Sequence, residues 1–301
     1  ILHFTFLNQA VGAVGIAFCH TAFNVFTTIL LLPFSRQLEK LARRLVRTED
    51  TRESFAFLDP LLLRTPGAAV SESVAMAGRM GQAARENICL ATDQLSQYSR
   101  ERETQILQNE DKLDIYEDRL SSYLVEISQH GLSMQDMRTV SRLLHAIGDF
   151  ERIGDYSVNV AECATALHNK GIVFSNIAKR ELKALTDAVD ETIEKALECY
   201  RERSYDLSLQ VEPLEEVVDL MRDDLRARHI ERLKSGACTI ELGTQFLELL
   251  INLERISDHC SNIAIGILHQ TAPKGNLVLT DTHAYTHELH HGHNPEFELM
   301  F

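Results

Sequence analysis

Two stretches decide the fold: GDFERIGDYSVNVAE, residues 148–162, and LERISDHCSNIAIG, residues 253–266. Each runs Glu, Arg, Ile, then places an Asp four residues after the Glu and an Asn four further on. In the first these are Glu151, Asp155 and Asn159; in the second, Glu254, Asp258 and Asn262. Residues four apart share a helix face, so both stretches predict a helix with a line of carboxylates and an amide along it. Ile153, Val158 and Val160 flank the first line, and Ile256, Ile263 and Ile265 the second, which sets the acids beside core positions. A buried-looking acid line made twice is the signature of an internal repeat.

The repeat extends outward from these lines. Leu143, Leu144, Ile147 and Phe150 fall on Phe246, Leu247, Leu250 and Leu253 at the same offset. Upstream, NEDKLDIYEDRL (109–120) aligns with LEEVVDLMRDDL (214–225). Glu110, Asp111, Asp114 and Asp118 there match Glu215, Glu216, Asp219 and Asp223. Hydrophobic periodicity predicts helices over 68–99, 102–129, 134–168, 175–202, 212–234 and 239–269, with breaks at Gly131 and Ser133, Gly171, and Gly236. The expected fold is all-α: a six-helix bundle of two three-helix repeats, 68–170 and 171–270, between a membrane end and a C-terminal tail, 271–301.

Composition agrees with a helical chain. Six prolines, 14 glycines and no tryptophan accompany 45% hydrophobic residues, enough for a sizeable core. The formal net charge of −14 argues against nucleic acid, whose binding rests on Lys and Arg, and makes cations the expected guests. Six cysteines are scattered singly, without a CxxC pair, as suits a reducing compartment.

Residues 1–34 hold no Asp, Glu, Lys or Arg and read as membrane composition, with a span expected near Val14–Phe34. Arg36, Lys40, Arg43, Arg44 and Arg47 follow at once. This basic stop predicts a cell-membrane protein whose residues from about 35 onward are cytoplasmic. His20 and Asn24 sit four apart within the run, either facing a pathway or serving as interhelical hydrogen-bond partners. No Met and no charged segment precede the run, so a signal peptide is not expected and the chain reads as the C-terminal part of something longer. Residues 35–67 form a basic stop and linker, hinged at Pro60 and Pro66.

Each repeat thus offers two carboxylate pairs: Glu110 with Asp114 and Glu151 with Asp155, then Glu215 with Asp219 and Glu254 with Asp258. One such pair alone describes a solvated helix edge. Two brought together must be neutralised by protons, by Arg152 and Arg255, or by a cation, and oxygen-rich clusters suit hard or borderline divalent and ferric ions. His259 follows Asp258, but Tyr156 is its counterpart, so a ligand role common to both repeats is not expected. A phosphohydrolase would need a nucleophile motif, a glycine-rich phosphate loop or mixed His/Asp ligands, and these are missing, so no enzymatic activity is expected.

With these residues assembled, 68–270 resembles the PhoU family, whose two three-helix repeats carry such paired-acid signatures. The resemblance implies iron or zinc clusters held by the paired acids, with Asp111 and Glu216 as additional ligands, and a regulatory role in phosphate uptake. Residues 16–24, IAFCHTAFN, with LLPF and LDPLLLRTPG after them, look like the end of the transporter domain of bacterial sodium/phosphate cotransporters. That implies the C-terminal portion of a sodium-dependent phosphate symporter, with phosphate and sodium as partners through an upstream core, and leaves room for a homodimer. The alternatives are a free-standing regulator of the same family and a metal-free helical scaffold. The tail, with His283, His287, His290, His291 and His293, offers imidazoles without fixed geometry.

Overall fold

The structure is a computed structural model that describes residues 13–31 and 60–271. Two units make up the chain, residues 1–56 and 57–301. In the first, helix α1 spans Ala13–Leu31. In the second, a 3-10 turn, Pro60–Arg64, leads into α2 (Pro66–Ser96), α3 (Arg100–Ser128) and α4 (Met134–Lys170). Then come α5 (Asn176–Glu202), a single helical turn at Tyr205–Ser208, α6 (Val211–Lys234) and α7 (Ile240–Thr271). No strand occurs among the described residues.

Local chemistry explains where the helices begin and end. Pro66 opens α2 at its first turn, where a missing N–H costs nothing. Ser99, Ser133 and Ser175 accept hydrogen bonds from the backbone N–H groups of Arg102, Asp136 and Ala178, capping α3, α4 and α5. Gly171 ends α4 in the left-handed conformation at φ 63°, while Ile172 N–H donates back to the Leu167 carbonyl, the pairing of a Schellman motif.

Helices α2, α3 and α4 pack on one another, as do α5, α6 and α7, and the two triplets join through α4 against α7 and α2 against α5. Small residues let helices close in. A Cβ at Gly81 would lie 2.5 Å from the Phe150 ring, so glycine there admits α4 onto α2. A Cβ at Gly154 would lie 2.6 Å from Leu113 Cδ1, so the glycine inside ERIGD is what seats α3 against α4. Its repeat counterpart is Ser257, also small and buried.

Of the expected span near residues 14–34, residues 14–31 are described, within α1, whose apolar run is broken by His20, Thr21, Asn24, Thr27 and Thr28. Among the described residues no helix is long and apolar enough to cross a membrane. His20 and Asn24 are both exposed on α1, and neither is drawn into a packed interface among the described residues. The basic stop from Arg36 to Arg47, most of the linker and the His-rich tail lie outside the described residues.

Candidate metal centres

The acid pairs converge as their spacing predicts, one cluster per repeat. On α3, Glu110 and Asp114 face Asp155 of α4, and one carboxylate oxygen of each lies within 4.8 Å of the others. On α6, Glu215 and Asp219 meet Asp258 of α7 under the same limit. Gly154 and Ser257 stand directly before the two aspartates of the ERI motifs, so the residue that lets the helices approach adjoins the one that completes the cluster.

Glu151 and Glu254 lie beside these trios rather than within them. Glu151 is held at 3.6 Å by Arg152 Nε, and Arg152 Nη1 also reaches Asp155 Oδ2 at 3.2 Å. The second repeat copies this with Arg255, 3.8 Å from Glu254 and 3.2 Å from Asp258. Asp111 is exposed and Glu216 half-buried, each next to a cluster member, and neither belongs to a trio.

The electrostatics show crowding of like charge. Burial, with Asp114, Asp111, Asp155 and Glu151 nearby, pushes the Glu110 carboxyl up to about 7. Burial, with Glu212, Asp219 and Asp258, pushes Glu215 up to about 8. Asp114, Glu151, Asp219 and Glu254 are all raised, burial being the main cause in each. Asp219 Oδ1 is buried without a hydrogen-bond partner. Carboxylates gathered on two helices, one oxygen orphaned and two carboxyls held near neutral pKa, form a donor set that fits a hard or borderline cation. Such an ion would neutralise the crowded charge that now favours protons.

The amides of the two motif lines do something else. Asn159 Nδ2 donates to Asn252 Oδ1 of α7 at 3.2 Å, and so ties the repeats together. Asn262 lines a cavity at the α4–α7 seam with Asp149, Arg142 and His269. His259 stands outside the second trio: its Nδ1 lies 2.9 Å from Asp149 Oδ1, and its ring stacks on Tyr156.

Two partners escaped the sequence reading. Arg222 of α6 reaches Glu254 Oε1 at 2.7 Å and Asp219 Oδ2 at 3.5 Å. Buried Glu212 accepts a hydrogen bond from Ser261 Oγ and crowds Glu215 of the second trio. Laying α3 on α6 would have exposed the first, because Arg222 falls on Glu117, a reversal of charge mirrored in the opposite sense where Asp224 falls on Arg119.

Comparison with known proteins follows the repeat. The PhoU domain family matches residues 77–164 and 182–266. The chain is 25% identical over 165 residues to the phosphate-specific transport system accessory protein PhoU homolog 1 of Thermotoga maritima, covering 54% of this chain and 70% of that protein. It is 25% identical over 190 residues to the PhoU homolog of Xylella fastidiosa, covering 63% of this chain and 79% of that one. The crystal structure of PhoU from Pseudomonas aeruginosa superposes with a TM-score of 0.63 at 22% identity, over 69% of this chain and 97% of that one. The phosphate transport system regulatory protein PhoU of Streptococcus pneumoniae gives 0.63 at 18%, over 71% and 99%. At these identities the structures establish likeness of fold.

Proposed function

The chain belongs to the PhoU domain family, and from that premise we propose that it is a regulatory accessory of phosphate transport whose two acid clusters each hold divalent or ferric metal, iron or zinc by preference. The observation that carries this reading is the duplicated carboxylate trio, Glu110–Asp114–Asp155 and Glu215–Asp219–Asp258, one per repeat of a fold with two family matches. Glu151 and Glu254 complete the donor sets from the side, with Asp111 and Glu216 at the rim. Metal would pin α3 to α4 and α6 to α7, making the bundle a rigid docking element for a transporter rather than a catalyst. Relatives named for phosphate-specific transport support that partner.

The test pairs composition with physiology. Elemental analysis of the purified protein is expected to find transition metal, and an Asp155→Asn and Asp258→Asn double variant to lose it. Cells lacking the gene should regain normal control of phosphate uptake with the unaltered chain and not with the double variant. Equal metal in both proteins would leave the metal-free scaffold as the answer, and uptake indifferent to either would remove the regulatory role.

One observation favours a second reading, in which the bundle is the C-terminal regulatory portion of a sodium-dependent phosphate symporter. Helix α1 carries no charged residue and exposes Phe18, Phe23, Phe26 and Leu30, an apolar surface of the kind that marks a membrane or partner contact. Residues from about 35 onward would then be cytoplasmic. Membrane fractionation and sodium-dependent phosphate uptake with and without residues 60–301 separate the two: a chain found wholly in the soluble fraction supports the free-standing regulator.

A further inference from the structure

We propose that Arg222 makes the second acid cluster the weaker of the two cation sites, and that Glu117, in the matching position of the first repeat, makes the other cluster fill first. The inference rests on the reading above that the clusters hold metal.

The two clusters share one layout and differ at this place, as they also do where Leu107 of the first repeat stands for Glu212 of the second. Each has its trio, its flanking Glu and an Arg following that Glu, at 3.2 Å from the trio's last aspartate in both. In the second, a guanidinium bridges the two helices. Arg222 Nη1 meets Glu254 Oε1 of α7 at 2.7 Å, Nη2 meets Asp219 Oδ2 of α6 at 3.5 Å, and Nε donates to Asp223 Oδ1 at 3.1 Å. Its side chain is 23% exposed and that of Glu254 12%. A cation bridging carboxylates of α6 and α7 is what a metal would supply, and here the chain supplies it itself. For an ion to use Glu254, a charge-assisted hydrogen bond has to break and a half-buried guanidinium has to sit beside the incoming positive charge.

In the first repeat Glu117 accepts a hydrogen bond from Ser121 Oγ at 3.2 Å, on the side of α3 that carries Glu110 and Asp114. It adds a negative charge where Arg222 adds a positive one. Glu212, engaged by Ser261 Oγ, brings one negative charge back beside Glu215, which offsets Arg222 but not the negative charge that Glu117 adds to the first cluster. The repeats therefore share a donor set and differ in the charge that greets the ion.

The experiment is a Mn2+ titration of the full chain, with free ion counted by electron paramagnetic resonance and far-UV circular dichroism recorded alongside. Two classes of site are expected, the tighter lost in Asp155→Asn and the weaker in Asp258→Asn, separated by about tenfold or more given one unit charge beside a divalent ion. Arg222→Glu should bring the second class up toward the first, and Glu117→Arg should weaken the first by about tenfold. Should Arg222→Glu lose its helical spectrum, Arg222→Gln and Glu117→Arg carry the same comparison. Equal affinities in the unaltered chain, or a second class unmoved by either Arg222 variant, would overturn the proposal. No Mn2+ uptake by the unaltered chain is a different result, and it fails the metal reading on which the proposal stands.

Discussion

Glu110 and Glu215 show what a carboxylate cluster does to its own protein. Both carboxyls are raised above the ordinary 4.5, to about 7 and about 8, mainly by burial and then by neighbouring acids. Their contribution to stability is therefore fully present below the unfolded value and is lost as pH rises through the folded one. Metal-free protein should melt at a lower temperature at pH 9 than at pH 7, and Glu215→Gln should flatten that decline. The window stays above pH 7 because His229 and His269, both pushed below 6.5 chiefly by burial, contribute the opposite slope beneath it. With metal bound the dependence reverses, so addition of Zn2+ at pH 7 should release protons into a weak buffer; uptake of metal without proton release would contradict the raised carboxyls. Asp155 and Asp258 were legible at this scale from the four-residue spacing. Asn159 was not, and the reason is geometric: a four-residue step overshoots a helical turn by about 40°, so three such residues sweep about 80° of the surface. Along α4 that sweep starts toward α3 and ends toward α7, where Asn159 meets Asn252.

At the level of the element, the approach of α3 to α4 depends on a missing side chain. Leu113 Cδ1 would stand 2.6 Å from a Cβ at Gly154, and Leu113 is itself buried, so a branched residue there has nowhere to go without moving a helix. Gly154→Val should cost about 1–3 kcal/mol by overpacking, visible as a lower urea midpoint. It should also weaken metal uptake by the first cluster while leaving the second unchanged; equal loss at both would mean that the glycine acts on the whole bundle rather than on one pair of helices. The helices themselves were readable because their ends are marked: Ser99, Ser133 and Ser175 cap three starts and Gly171 closes α4, each within two residues of its predicted boundary. Arg222 was unreadable from α6 alone, since its partner Glu254 lies on another helix, 32 residues away in sequence.

The two repeats share one interior, and this governs what part of the chain can stand by itself. Phe150 of the first repeat packs edge-on against Tyr200 of the second at 5.4 Å, and the Tyr200 hydroxyl donates back to the Val74 carbonyl at 3.2 Å. Leu143 and Ala146 line one cavity with Ile263 and Ile267. Beside these apolar contacts, Asn159 with Asn252 and Asp149 with His259 tie α4 to α7. Separating the repeats would leave Phe150 and Tyr200 facing water and take Asn159 from Asn252 Oδ1, whereas a cut before residue 60 crosses none of these contacts. A fragment of residues 60–271 is therefore expected to unfold in one cooperative transition in urea, with the helical content of the six-helix unit. Residues 66–171 alone should show a broad, weakly cooperative transition and bind metal poorly, because the acid trio of α3 and α4 is then carried by helices whose shared face has lost its cover. A single repeat that unfolded as sharply as the pair, and at the same midpoint, would mean that the duplication joins two self-sufficient bundles, and the asymmetry between their metal sites would then be testable one repeat at a time.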